Sequence, residues 1–161
     1  MSVERCRAYL DQFGAGDRIR EFAVSSATVE LAAQAAGVIP ARIAKTLSFA
    51  GPEGCLLVVT AGDAKVDKKK YKDTFGLKAR MLTHEQAEAQ TGYAVGGVCP
   101  FGVEPGVQVY LDQSLRRFST VLPAAGSGNS CVELTCEELE RFSQARDWVD
   151  VCKDWDPALA E

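Results

Sequence analysis

In the stretch Ile43-Ala44-Lys45-Thr46-Leu47-Ser48-Phe49, a lysine shares its parity with three large apolar residues. Side chains alternate across a strand, so an extended stretch sends Lys45 to the same side as Ile43, Leu47 and Phe49. Two readings are open. In one, Lys45 closes a strand and lays its methylenes on apolar surface with its ammonium in water. Alternatively it lines a pocket, as a partly buried ammonium facing an anionic or carbonyl-bearing substrate. The second candidate is the loop GYAVGGVCPFG at 92–102. Gly96 and Gly97 allow close approach to the main chain, and Pro100 fixes the far side. Exposed N–H groups there would hold a phosphate, a carbonyl oxygen or a developing oxyanion; a plain surface turn is the alternative.

Cys99 sits within that loop, but a thiol nucleophile needs a base. The single histidine, His84, falls in the exposed first turn of a helix. A third candidate, PAAGSGNS at 123–130, is made of small residues from Ala124 onward and reads either as a pocket wall or as a flexible connection. The fourth is a run of cations. Lys65, Lys68, Lys69 and Lys72 fall along one stripe at helical spacing, which suits a solvated face or contact with phosphates. Residues 65–80 carry +5, which leaves −9 on the rest of a chain whose net charge is −4. Overall acidity argues against a duplex-DNA binder, while a local patch suffices for a few phosphates.

The elements that must position these groups alternate along the 161 residues without a repeat or a linker. That length suits one domain, taken as 1–161. A first helix precedes a short strand in RIREFA, and Ser26 is expected to cap a second helix with Val29, Ala32, Ala33 and Ala36 on one face, stopped by Gly37. RIAKTLSFA and CLLVVTA form a hairpin about a Gly51-Pro52-Glu53-Gly54 turn. A lysine-rich helix ends at Gly76, and KARML follows as a strand, with Phe75 in the core. Thr83 with Gln86, and Thr135 with Glu138, make capping boxes for two further helices, with Leu134 and Leu139 at the hydrophobic-staple positions of the second. VQVYLD, STVLPA, CVELT and WVDVC supply the remaining strands. The fold class is α+β: a mixed, mostly antiparallel central sheet or partial barrel surrounded by helices.

Several classes are excluded by what the chain lacks. There is no Ser–His–Asp set, Walker loop or close carboxylate pair, and no GxGxxG follows a strand. Six cysteines contain no CxxC pair and are read as reduced thiols; no metal and no cofactor is expected. No apolar run reaches the ~20 residues of a membrane span, and the amphipathic start lacks the centre of a secretory signal, so a cytoplasmic, membrane-free protein is expected. What remains is a lysine in an apolar pocket and a glycine loop with backbone donors. That equipment suits a substrate that is already reactive and needs positioning. From composition and spacing alone the reading stops at a ligand-binding α+β domain.

The ordered set IAKTLSF, TGYAVGGVCPFG and a late small-residue loop followed by VEL resembles the YbaK family of freestanding aminoacyl-tRNA deacylases, related to the editing domain inserted in bacterial prolyl-tRNA synthetase. The resemblance runs from the helix before RIAKTL to CVELTCEELERF. It implies a hydrolase that removes amino acids from mischarged tRNA, with the acceptor end of tRNA(Pro) as partner and a synthetase as a further one. It places the family lysine on Lys45 and the family Gly-x-x-x-Pro element on Gly96 and Pro100. Lys45 and Gly96 would be catalytic. Thr46, Gly97, Cys99, Pro100, Phe101, Gly102, Ala124 and Gly126 would bind substrate, and Lys68, Lys69 and Lys70 would contact tRNA phosphates. Cysteine-specific members carry a serine and two glycines where this chain has Ala124, Ala125 and Gly126. That departure withholds cysteinyl specificity from the implication, and other branches remove alanine, serine, threonine or non-protein amino acids. A non-catalytic binding module and a hydrolase of small acyl esters stand as alternatives.

Overall fold

A computed structural model of the chain describes residues 2–52 and 54–160. Glu53, at the tip of the expected Gly51–Gly54 turn, lies outside the described residues. The centre is a six-stranded mixed sheet in the order β8-β6-β2-β3-β5-β9. Its strands are β2 (Ile43–Gly51), β3 (Gly54–Ala61), β5 (Gln108–Asp112), β6 (Thr120–Pro123), β8 (Leu134–Thr135) and β9 (Asp147–Val149). Two small pairs flank it: β1 (Arg20–Glu21) with β7 (Ser130–Cys131), and β4 (Lys65–Val66) with β10 (Cys152–Lys153). The helices are α1 (Ser2–Asp11), α2 (Val29–Ala36), α3 (Lys68–Phe75), α4 (His84–Thr91) and α5 (Cys136–Ser143).

The β2–β3 hairpin is antiparallel over an unbroken register from Ala44↔Ala61 to Gly51↔Gly54. β3 then lies parallel to β5, β5 parallel to β9, and β2 parallel to β6 at Ile43↔Leu122 and Ala44↔Pro123. Such interior strands are covered on both faces, and the sequence shows it: Cys55, Leu56, Leu57, Val58 and Val59 are all buried, a continuous apolar run without alternation. Helices are pinned where their sequence provides stops and starts. Gly37, Gly76 and Gly92 each close a helix at positive φ, and both capping boxes are formed. Leu134 and Leu139 are buried, and Phe75 packs on the rings of Tyr71 and Tyr110. All six cysteines are free thiols. Among the described residues no helix is long and apolar enough to cross a membrane.

Several local expectations are corrected. The cap of α2 is Thr28, whose hydroxyl accepts the Leu31 N–H at 3.2 Å. Ser26 is instead buried and donates its N–H to the Gly128 carbonyl at 2.7 Å. Lys65 is off the helical stripe, because Asp67 accepts the N–H groups of Lys69 and Lys70 and so starts α3 at Lys68, leaving Lys65 paired with Lys153. The strand expected at 78–82 shrinks to one bridge, Met81 to Phe49, since α4 begins two residues later. CVELT is divided between β7 and β8, which join different sheets. Of RIREFA only Arg20 and Glu21 are strand.

Candidate active site

A cavity of about 260 Å³ opens against β2. Six consecutive residues of that strand, from Ile43 to Ser48, line it. A cavity over one face of a strand meets alternate residues only. Contact with every residue in turn means that the cavity looks onto the strand's edge. The rest of the wall comes from 26–29 ahead of and in α2, from Met81 to His84, from the 95–98 loop, and from the end of β6 and β7.

Backbone bonds hold these distant segments together. Phe22 and Ser26 donate their N–H groups to Asn129 and Gly128, both at 2.7 Å, and the Asn129 side chain donates back to the Phe22 carbonyl at 3.0 Å. With the β1–β7 pairing, this straps residues 20–26 across the 127–131 segment. The two glycine-rich loops meet backbone to backbone. A Cβ on Gly97 would lie 2.6 Å from the Gly126 carbonyl carbon and the Ser127 nitrogen. Gly96 has φ +88° and leaves only 3.2 Å between a hypothetical Cβ and Ala27, so both its backbone and its surroundings call for glycine.

Lys45 contributes the one lysine of the lining, and its Nζ donates to the Ala64 carbonyl at 2.6 Å. One bond of that kind leaves two ammonium donors. Burial pushes its pKa below the ordinary lysine value, against the opposing influence of Cys152, Asp63 and Glu30. Next to it, the Thr46 hydroxyl oxygen is buried and has no hydrogen-bond partner among the described residues. Cys131 also lines the cavity, and burial holds its thiol neutral by pushing its pKa up to about 11. The wall offers hydroxyls from Ser26, Thr28, Thr46, Ser48 and Ser130, and none of its residues is Asp or Glu.

Among the residues singled out in the sequence, Lys45, Thr46, Gly96 and Ala124 line the cavity together. Gly97 and Gly126 stand behind it as the contact between loops. Cys99 and Phe101 are fully buried beneath the loop. The Cys99 thiol donates to Cys6 of α1 at 4.0 Å, and the Phe101 carbonyl accepts the Tyr93 hydroxyl at 2.5 Å. Pro100 and Gly102 border a separate hollow of about 230 Å³, and Gly102 accepts the Arg5 guanidinium at 3.0 Å. Lys68 and Lys69 are exposed on α3, whereas Lys70 is tied to Asp150 at 3.1 Å and to the Cys152 carbonyl at 2.9 Å. The lining residues to which sequence reasoning gave no site role include Ser26, Thr28, Met81, His84 and Cys131, while Ser130 closes the 123–130 loop already read as a candidate pocket wall. The sequence puts His84 in an exposed first turn, as found, but nothing in it aims that turn at the cavity.

Residues 24–142 match the model of the aminoacyl-tRNA editing domain. YwhH of Bacillus subtilis (strain 168) is 52% identical over 157 residues, 97% of this chain and 100% of that one. EbsC of Enterococcus faecalis (strain ATCC 700802 / V583), a candidate Cys-tRNA(Pro)/Cys-tRNA(Cys) deacylase, is 32% identical over 114 residues, 70% of each chain. The crystal structure of a candidate trans-editing enzyme for prolyl tRNA synthetase superposes with a TM-score of 0.86 at 31% identity, covering 94% of this chain and 97% of the other.

Proposed function

The chain belongs to the aminoacyl-tRNA editing domain family, and from that premise we propose that it is a trans-editing deacylase that frees tRNA(Pro) of a wrongly attached amino acid. The observation that carries this reading is the meeting of a half-buried ammonium, Lys45, and a glycine-rich loop at Gly96 on one cavity. An aminoacyl ester beside a ribose hydroxyl is an activated acyl group, so its hydrolysis needs orientation and polarisation of the carbonyl more than a dedicated base.

Lys45 supplies a fixed positive charge whose free N–H bonds point at the developing oxyanion or at the terminal ribose. The Gly96 segment packs the mouth closely enough to admit the ester and the terminal adenosine against main chain. Water adds to the acyl carbon, the bond from that carbon to the ribose oxygen breaks, and the leaving oxygen takes up a proton. The neighbouring ribose hydroxyl is placed to relay the proton lost by the water. The products are a free amino acid and a tRNA with both terminal hydroxyls restored. A wall without carboxylates and with a small residue at Ala124 suits a small, uncharged amino-acid side chain.

The exposed Lys68 and Lys69 contact tRNA phosphates in this reading, with Lys70 largely committed to Asp150. The whole of 1–161 serves as the editing unit, because α1, outside the matched residues, bonds the site loop through Arg5. A synthetase that presents the tRNA is the further partner. The test is deacylation of tRNA(Pro) charged separately with proline, alanine, cysteine and serine. Lys45→Ala should lower the rate on the preferred substrate by about 10²–10³-fold, the size of losing one oxyanion donor, with the fold retained by circular dichroism. A folded Lys45→Ala protein with undiminished activity overturns the assignment.

A further inference from the structure

The outer edge of β2 is not bare, but it is interrupted. Toward its end, Ala50 donates its N–H to the Arg80 carbonyl at 2.8 Å, and the Ser48 carbonyl accepts the Leu82 N–H at 3.0 Å. Even-numbered residues therefore turn their backbone groups to this edge, as an unbroken antiparallel register with β3 requires of alternate positions. At the start of the strand, Ala44 pairs with β6. Between Ala44 and Ser48 the only outward-turned residue is Thr46, and among the described residues nothing pairs with it on that side. The gap is one residue wide. It opens on the cavity, and the partnerless hydroxyl of the same residue lies beside it.

An aminoacyl ester has the hydrogen-bonding outline of one strand residue: an α-amino donor, a tetrahedral carbon and a carbonyl acceptor. We infer that the gap at Thr46 receives the aminoacyl group as a single added strand residue, the α-amino group donating to the Thr46 carbonyl and the Thr46 N–H donating to the ester carbonyl. This rests on the deacylase reading and gives its substrate a pose. The absence of Asp and Glu from the wall supports it, since an amino group in this cavity must be received by neutral acceptors. The same pose adds a second, backbone donor to the ester carbonyl beside Lys45. It also explains how a strand edge can select one amino acid. A peptide of two or more residues would run into 80–82 or 122–124, which already occupy the edge on either side.

Amide hydrogen exchange by NMR tests the pose without reference to turnover. In the free protein the Thr46 amide should exchange far faster than those of Lys45 and Leu47, which face β3. The probes are adenosine analogues carrying an acyl group on a 3′-amide: L-alanyl, propionyl, which lacks the amino group, and N-acetyl-L-alanyl. The alanyl analogue should bind and slow exchange at Thr46. The propionyl analogue should bind up to about tenfold more weakly, the upper end of one hydrogen bond's net contribution. The N-acetyl analogue should fail to protect Thr46. Protection of Thr46 equal to that of Leu47 in the free protein overturns the inference. Binding of the alanyl analogue that leaves Thr46 unprotected, or equal binding of all three, also overturns it while the deacylase reading stands. Failure of every analogue to bind counts against both.

Discussion

Two buried polar sites of this protein differ in one respect. At the end of β5, Asp112 is fully buried, and its two carboxylate oxygens accept the N–H groups of Ser114 and Val151, each at 2.9 Å. On the outer edge of β2, the Thr46 hydroxyl is buried with no partner among the described residues, and its neighbour Lys45 uses one ammonium bond on the Ala64 carbonyl. The first site is closed upon itself and serves the fold. The second holds capacity in reserve, which a stable fold does not require and a ligand can use. Unfilled hydrogen-bonding capacity alone does not mark function, because the Tyr71 hydroxyl in the core also lacks a partner among the described residues; at Thr46 it coincides with a cavity and a half-buried ammonium.

The comparison breaks most visibly at the closed site. Asp112→Ala leaves two buried backbone donors unpaired and should cost about 3 kcal/mol, read as a lower urea midpoint at unchanged slope. A cost near zero would mean that Asp112 carries no more structural weight than Thr46. A second test is pH. Burial lowers the pKa of Lys45, and the proposed role needs the ammonium. Deacylation, corrected for spontaneous hydrolysis, should therefore decline as pH rises through a value below the ordinary lysine range. The stability contribution of this group has the opposite sign. Between the lowered folded value and the unfolded one, the unfolded chain holds the proton that the folded chain has released, so stability rises with pH. A rate that keeps climbing through the ordinary lysine range would detach Lys45 from the chemistry. The smallest effect is expected at Thr46. Thr46→Val removes a hydroxyl that makes no bond, so stability should stay within about 0.5 kcal/mol of the parent or increase. A loss comparable to that of Asp112→Ala would show the hydroxyl to be satisfied in solution.

Much of the frame was legible because local chemistry decides it. Gly37 and Gly76 end helices where they stand, Thr83 with Gln86 and Thr135 with Glu138 form their boxes, and the β2–β3 hairpin follows from its apolar runs. The parity of Lys45 also pointed to a half-buried ammonium, and the structure has one. What failed was competition between similar residues. Ser26 and Thr28 are both good caps, and only the long-range bond from Ser26 to Gly128 decides between them. In the 92–102 loop, the resemblance assigned site roles to positions that face opposite ways: Gly96, read as catalytic, borders the cavity, while Cys99 and Phe101, read as substrate-binding, turn down onto α1 and Tyr93. The wall contributed by Met81 and His84 had no local signal at all, whereas Ser130 belongs to the small-residue loop for which a pocket wall is one of the two readings. Met81 reaches β2 through its bridge to Phe49, and the 130–132 segment reaches it through the strap to 20–26 and through β6, by the Ala124–Cys131 bridge and the Val132 N–H on the Pro123 carbonyl.

That strap has a consequence for how the molecule comes into being. Arg20 pairs with Cys131, more than a hundred residues downstream, and β2 pairs with β6 across a span of nearly eighty. Loops of that length close late and slowly compared with hairpins. The β2–β3 hairpin can form as soon as it leaves the ribosome, yet it then presents an outer edge with no β6 and no cavity. Hydrolytic competence should therefore arrive in one step once residue 131 has been made, and fragments ending before it should be inert however much of the hairpin they contain.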